Sequence, residues 1–350
     1  MVGSKDMPPL TAPLMPNQFV RAQFCYKPVL PPPHTDLSGQ VVIVTGSNMG
    51  LGFEISRQFL SYRLSRLIMA VRSLDKGKVA AAQLQRAYPQ ATIEVWKLDM
   101  SSPGSVRAFA SRAETELPRL DVAVLNAGIS PMHLTANQET GHEETIQVNY
   151  LSTMLLLALL LPILKSKSPE GIPGRAIFVS SVLATNAKLH GADAPHTPLL
   201  RYVSDFRTRA FDPMEQYCTS KLLGLMFLWK LADCVSADDV IVSAVEPGFV
   251  KGTGLARDAR GATKIAVSLF GAATGRPVND GASTILDAAI NHGKESHGCF
   301  LMNFKIRSFV PSMYTAEGRE RIDSLWEETM REPSFQDVPG ILEQMKRAKQ

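Results

Sequence analysis

The chain has little to cross-link it, nothing to anchor it and no strong charge. Its four cysteines, Cys25, Cys218, Cys234 and Cys299, show no paired spacing for zinc or redox work and read as reduced thiols of a cytoplasmic protein. The longest apolar run, Met154 to Leu164, covers 11 residues. A membrane-crossing helix needs about 20, so no integral membrane span is expected. The start, Met1 to Asp6, leads into Pro-rich sequence rather than an apolar secretory segment. Basic and acidic residues nearly balance, 37 against 33, for a formal charge of +4. No element gathers Lys and Arg as a nucleic-acid surface would, so no nucleic-acid partner is expected. The seven histidines (His34, His133, His142, His190, His196, His292, His297) lack metal-ligand spacing, and no metal is expected. Ordinary glycine content and 7% aromatics exclude a collagenous or wholly disordered chain.

What is present is a prolific alternation of strand and helix. Residues 1–37 come first, an arm with eight of the 23 prolines, a density that forbids regular helix or central strand. The arm either lies across the fold or stays free of it. From Gln40 onward, short β-branched runs alternate with helix-length segments. The runs are Val41 to Val44, Leu67 to Val71, Thr92 to Trp96, Val122 to Leu125, Ala176 to Val179 and Val240 to Val245. Apolar strands without polar alternation are covered on both faces, which implies a parallel sheet between helical layers. The expected fold class is therefore α/β, a doubly wound Rossmann-type sheet whose ligands sit beyond the strand carboxyl ends. We expect this catalytic domain to span residues 38–305, with a helical extension over 306–350.

The first strand–helix junction is Thr45-Gly46-Ser47-Asn48-Met49-Gly50-Leu51-Gly52. It reads either as a Gly-rich turn or as a dinucleotide cradle, and the strand before and helix after favour the cradle. Gly46 permits a tight strand exit, Gly50 brings backbone N–H groups to a pyrophosphate, and Gly52 allows close helix–sheet packing. Ser47, Asn48 and Leu51 lie in the same turn and join the expected contacts. The second strand ends at Val71-Arg72-Ser73, 20 residues past Gly52. An NAD site places a carboxylate about there, whereas a guanidinium suits the 2′-phosphate of NADP(H). NADP(H) is the expected cofactor, helped by Lys76 or Lys78.

Tyr217 and Lys221 stand four apart, on one face of a helix running on to Leu231. They follow Val179-Ser180-Ser181 by one strand–helix step. With these marks the sequence resembles the short-chain dehydrogenase/reductase family from about Gln40 to Phe304. The other marks are Thr45 to Gly52, Leu98-Asp99, Asn126-Ala127-Gly128, Val148-Asn149 and Pro247-Gly248. Within that family it is similar to retinol-dehydrogenase-like members and to fungal reductases of natural-product pathways. The resemblance implies that Tyr217 exchanges a proton with a carbonyl oxygen, that Lys221 makes the phenol more acidic, and that Ser181 hydrogen-bonds the oxygen. Asn149 would fix a water that relays protons to Lys221. Asp99 would bind the adenine, Asn126, Ala127 and Gly128 would lie along the cofactor, and Val250 would touch the carboxamide. Thr253 would also contact the cofactor, although the family's usual Thr falls where this chain has Gly252.

Ser181 and Tyr217 are 36 positions apart, far more than is usual in the family. The insertion at 182–215, with His190, His196, Leu199, Leu200, Tyr202, Phe206 and Phe211, is expected to wall the substrate cleft, and 253–280 to form a second wall. The expected function is NADP(H)-dependent reduction or oxidation of a hydrophobic small molecule, such as a polyketide or terpenoid carbonyl. A nucleotide-sugar epimerase or dehydratase of the same fold is an alternative, as is a non-catalytic dinucleotide sensor. The apolar Met154 to Leu164 stripe is either a homodimer interface or simple core.

Overall fold

Each of the six apolar runs becomes a strand; five are buried between helical layers, while Thr92–Lys97 forms the sheet edge and only Trp96 in it is buried. The computed structural model describes residues 3–9, 23–189, 198–206, 210–252, 271 and 274–347. The strands are β1 (Val41–Thr45), β2 (Arg66–Val71), β3 (Thr92–Lys97), β4 (Val122–Leu125), β5 (Gly174–Val179) and β6 (Val240–Glu246), joined by β7 (Cys299–Met302) and β8 (Lys305–Arg307). Their order is β3-β2-β1-β4-β5-β6-β7-β8, parallel throughout except that β8 runs antiparallel to β7. Chain order reverses between β1 and β4, which opens the crevice where such folds take their ligands. In register, Thr45 lies beside Ala70, Leu125 beside Phe178, and Val179 beside Val245. The carboxyl ends of β1, β4, β5 and β6 therefore share one rim.

Strand periodicity divides the core in two. Ile43 faces one cluster with Phe109, Leu157 and Leu225, while Val42 and Val44 face the other with Phe59, Leu84 and Ile285. The first side holds α3 (Pro103–Glu116), α4 (Thr153–Lys167) and α6 (Pro213–Leu231). The second holds α1 (Gly50–Ser61), α2 (Leu74–Ala87) and α7 (Val278–Ile290). Between β5 and α6 the insertion contributes α5 (Leu199–Ser204). The tail supplies α8 (Ala316–Arg331) and α9 (Val338–Arg347). Side chains of Ser73, Ser102, Asp212 and Thr315 cap α2, α3, α6 and α8.

The tail settles what covers the apolar stripe. Helix α9 packs on α4 and α8 on α6, with the Tyr150 hydroxyl 2.6 Å from Thr329 Oγ1 and the Phe227 and Trp326 rings 4.9 Å apart. Met154 to Leu164 is thus packed within its own chain. The helical run Glu144–Lys167 is long and apolar enough to cross a membrane, but most of it is buried inside the fold. The 11-residue apolar count understated it because polar residues such as Thr145 and Ser152 are also buried.

The described parts of the amino-terminal arm dock on the fold. Ser4 Oγ accepts a hydrogen bond from Phe300 N at 2.8 Å, and Lys5 pairs with Asp233 at 2.7 Å. Gln23 and Tyr26 reach the rim at the other end of the strands. Strands β7 and β8, only four and three residues long, escape sequence periodicity because a pattern needs more repeats to show.

Candidate active site

The glycine-rich turn is shaped by what a side chain would strike. Gly46 and Gly50 have φ of +65° and +56°, the left-handed region that favours glycine. A Cβ on Gly52 would lie 2.5 Å from both Asn126 Nδ2 and the Gly46 carbonyl oxygen. Asn126 Nδ2 donates to the Thr45 carbonyl at 2.9 Å, and Ala127 N donates to Thr45 Oγ1 at 2.9 Å. These bonds lock the β4 exit against the turn. Met49, at the N-cap of α1, offers no side-chain cap, and Ser47 Oγ is buried without a hydrogen-bond partner. Half-buried Asn48 and Leu51 flank it. Uncapped N–H groups, a helix dipole and an orphan hydroxyl together suit an anionic group such as a pyrophosphate.

Arg72 is exposed beyond β2, and Lys97 Nζ donates to its carbonyl oxygen at 2.6 Å. The second cation beside Arg72 is thus Lys97, from the end of β3. Lys97 was not legible in the sequence beside Lys76 and Lys78, because the β2–β3 register that aligns Val71 with Lys97 is not local information. Asp99 Oδ1 accepts the Ser101 N–H at 3.1 Å, a turn contact that leaves its other oxygen available.

At the chemical end, Tyr217 and Lys221 lie one turn apart on α6 and are each 8% exposed. Ser181, on the coil after β5, stands close enough to the Tyr217 side chain for its hydroxyl to counter the rise in the phenol's pKa. Its Oγ also accepts the Leu183 N–H at 3.2 Å. Neighbouring Ser180 Oγ is buried without a partner, so Ser181 is the serine that meets the phenol. Lys221 Nζ donates to the Val179 carbonyl at 2.8 Å and sits 5.7 Å from the Tyr217 ring centroid. Burial lowers the Lys221 pKa to about 8. Burial raises that of Tyr217 well above the ordinary phenol value, the Ser181 hydroxyl opposes the rise, and negative charge at Cys218 and Glu246 adds to it. In this arrangement the Lys221 ammonium turns to a strand-end carbonyl, and desolvation is the largest influence on the Tyr217 phenol.

Asn149 sits in a π-helical segment, Gln147–Ser152, ahead of α4. Such bulges often mark functional positions. Its Oδ1 accepts the Ile129 N–H at 2.8 Å, while Nδ2 donates to the Ile129 carbonyl at 2.9 Å and to Ser220 Oγ at 3.0 Å. A Cβ on Gly128 would lie 3.2 Å from Asn149 Oδ1 and 3.7 Å from Lys221 Nζ, so the bare face of Gly128 looks onto both. Gln216, next to Tyr217, donates to Glu143 Oε2 and to the Val203 carbonyl, each at 2.9 Å. This anchor ties α6 to the insertion, and the sequence reading missed it because Glu143 lies 73 positions away.

After β6 the buried Glu246 Oε1 accepts the Gly248 N–H at 2.8 Å, and burial raises its pKa. Val250 is buried and forms a parallel bridge with Arg276. Thr253, His190 and His196 lie outside the described residues. Within the insertion, Leu199 and Leu200 are core residues, 2% and 1% exposed, rather than cleft wall. Their N–H groups, at the start of α5, donate to the two carboxylate oxygens of Glu328 on α8. Phe206 and Phe211 are half-buried and pack edge to face at 5.7 Å. Among the described residues no three His, Cys, Asp or Glu side chains gather as a metal ion would require.

Comparisons with known proteins agree with this geometry. The short chain dehydrogenase family matches residues 40–192. Short chain dehydrogenase/reductase mfmJ of Annulohypoxylon moriforme is 53% identical over 346 residues, covering 99% of both chains. Short chain dehydrogenase virL of Hypocrea virens is 42% identical, over 94% of this chain and 95% of its own. Among solved structures, the Pseudomonas aeruginosa RhlG/NADP active-site complex has the same fold, with a TM-score of 0.57 and 21% identity over 77% of this chain and 96% of that one. The chain belongs to the short-chain dehydrogenase/reductase family, oxidoreductases that act on carbonyl and alcohol groups.

Proposed function

We propose that this protein is an NADPH-dependent reductase of a ketone or aldehyde on a hydrophobic small molecule, in a fungal natural-product pathway. The observation that carries it is the meeting of Ser181, Tyr217 and Lys221 at the rim, beside the strand-end segments that bear the glycine turn. The turn fits a dinucleotide: Gly46, Gly50 and Gly52 clear the backbone, and Ser47 with the α1 amino end meets the pyrophosphate. Asn48 and Leu51 line that turn. Arg72 and Lys97 would hold a 2′-phosphate, Asp99 the adenine amino group, and Asn126, Ala127 and Gly128 the middle of the cofactor. Val250 would meet the carboxamide, with Thr253 beyond it. When bound, the nicotinamide supplies the hydride.

The chain's own groups handle the proton. A phenol as buried as Tyr217 stays protonated at neutral pH, the form needed to donate to a carbonyl oxygen. Ser181 Oγ, beside that phenol, would hydrogen-bond the same oxygen and stabilise its developing charge. Lys221 would hold ribose hydroxyls. Asn149 would keep the Gly128–Ile129 backbone in place and border the relay water. Phe206 and Phe211 would supply apolar wall for the substrate. The four cysteines are free thiols, which suits a cytoplasmic setting. A substrate panel tests the reading, with hydrophobic ketones expected to turn over and small polar sugars not. Brisk sugar turnover with weak ketone activity would reject it.

A further inference from the structure

The loop after β6 lacks strand support, yet it must carry Val250. Sheet pairing of β6 ends at Glu246, and Gly248 and Gly252 take φ of +84° and +75°. Such a segment needs an external hold, since glycine-rich backbone has much freedom to lose. One hold is local: Arg276 N donates to the Phe249 carbonyl at 2.7 Å, and Lys251 N donates to the Arg276 carbonyl at 3.0 Å.

The other hold comes from the far end of the sequence. Gln23 is 4% exposed. Its Nε2 donates to the Phe249 carbonyl at 2.7 Å and to the Thr274 carbonyl at 2.8 Å, and its Oε1 accepts the Phe249 N–H at 3.2 Å. One amide side chain thus serves both backbone groups of Phe249, as a neighbouring strand would, with both its donors and its acceptor engaged. Tyr26 completes the hold. Its hydroxyl donates to Asp280 Oδ2 at 2.6 Å, and its ring lies 3.8 Å from the Arg276 guanidinium. Arg276 in turn donates to Asn303 Oδ1 and, at 3.4 Å, to the Pro247 carbonyl. It packs flat on Gly248, where a Cβ would come within 2.6 Å of it.

We propose that Gln23 and Tyr26 are positioning residues of the active site, holding the 249–251 backbone so that Val250 meets the nicotinamide end of the cofactor, a role that rests on the NADPH reading above. Gln23 and Tyr26 are then a working part of the site.

The test uses the full-length protein and two probes, NADPH by fluorescence titration and 2′,5′-ADP by calorimetry. The second probe spans only the adenosine end. Gln23→Ala is expected to weaken NADPH at least tenfold while 2′,5′-ADP stays within twofold of wild type. Tyr26→Phe keeps the ring under Arg276 and loses only the Asp280 bond. It is expected to weaken NADPH about threefold, again sparing 2′,5′-ADP, and it carries the test if Gln23→Ala does not fold. Folded variants that bind NADPH within twofold of wild type would overturn the proposal. So would equal weakening of both probes, which marks a merely structural tether. Wild-type protein that binds neither probe would remove the cofactor reading itself, and the positioning role with it.

Discussion

Lys221 makes the active site a source of instability that can be measured. Burial brings its pKa from 10.5 to about 8, so keeping the ammonium charged in the fold at pH 7 costs about 3 kcal/mol. Lys221→Met removes that charge but leaves the Val179 carbonyl without its 2.8 Å partner, a loss of about 1 kcal/mol. The net gain of about 2 kcal/mol should raise the melting midpoint of the ligand-free protein by about 3 °C. The sign with pH follows from proton counting. Between about 8 and 10.5 the unfolded chain holds a proton on this lysine that the folded chain has released. Wild-type stability therefore gains across that window, while the variant does not. The advantage of Lys221→Met is full below pH 8 and fades toward pH 10. Paired thermal melts at pH 7 and pH 10 check this. A variant that melts below wild type at pH 7, or a gap that does not shrink with pH, would refute the reasoning.

Four further outcomes are expected. Replacing Arg72 with Ser should raise the NADPH dissociation constant by about tenfold to a hundredfold, the worth of a charge-assisted hydrogen bond, with NADH unchanged; equal effects on both cofactors in steady-state kinetics would count against the 2′-phosphate assignment. Tyr217→Phe should bind NADPH normally and lose about 10²–10⁴ in kcat, read by single-turnover absorbance. Gly52→Ala puts a methyl 2.5 Å from Asn126 Nδ2, and should destabilise the fold by about 1–3 kcal/mol in urea titrations while weakening dinucleotide binding. A chain ending at Tyr314 would bare the α4 and α6 faces that α8 and α9 cover; light scattering should find it more highly associated than the full chain.

The sequence already showed what repeats or sits close together along the chain. The central strands were legible because each is a run of β-branched residues with no polar alternation, and their burial on both faces follows from that pattern alone. The glycine turn and the Tyr217–Lys221 pair were legible because their spacing is local. The Leu199 and Leu200 reading failed because apolar residues in an insertion look alike whether they face a cleft or a core. What decided the matter was Glu328, more than a hundred positions away, whose carboxylate pins the start of α5. The same limit hid Lys97 beside Arg72 and Gln216 on Glu143.

It also hid the most consequential pairing. Gln23 is one polar residue in a proline-rich arm, and nothing around it signals a partner. Two of its three bonds reach Phe249, 226 positions later, and the third reaches Thr274; the loop at Phe249 is the one whose glycines deprive it of intrinsic rigidity. Flexible backbone at a cofactor site must be stiffened from somewhere. Here the sheet cannot do it, because β7 pairs with β6 only as far as Glu246. The arm's prolines do not keep it from helix here: Gln23 and Phe24 are helical and Ser4–Asp6 form a 3-10 turn, against the expectation from composition. What the sequence could not show is that Gln23, at that helical position, and Tyr26 just beyond it bond to the rim.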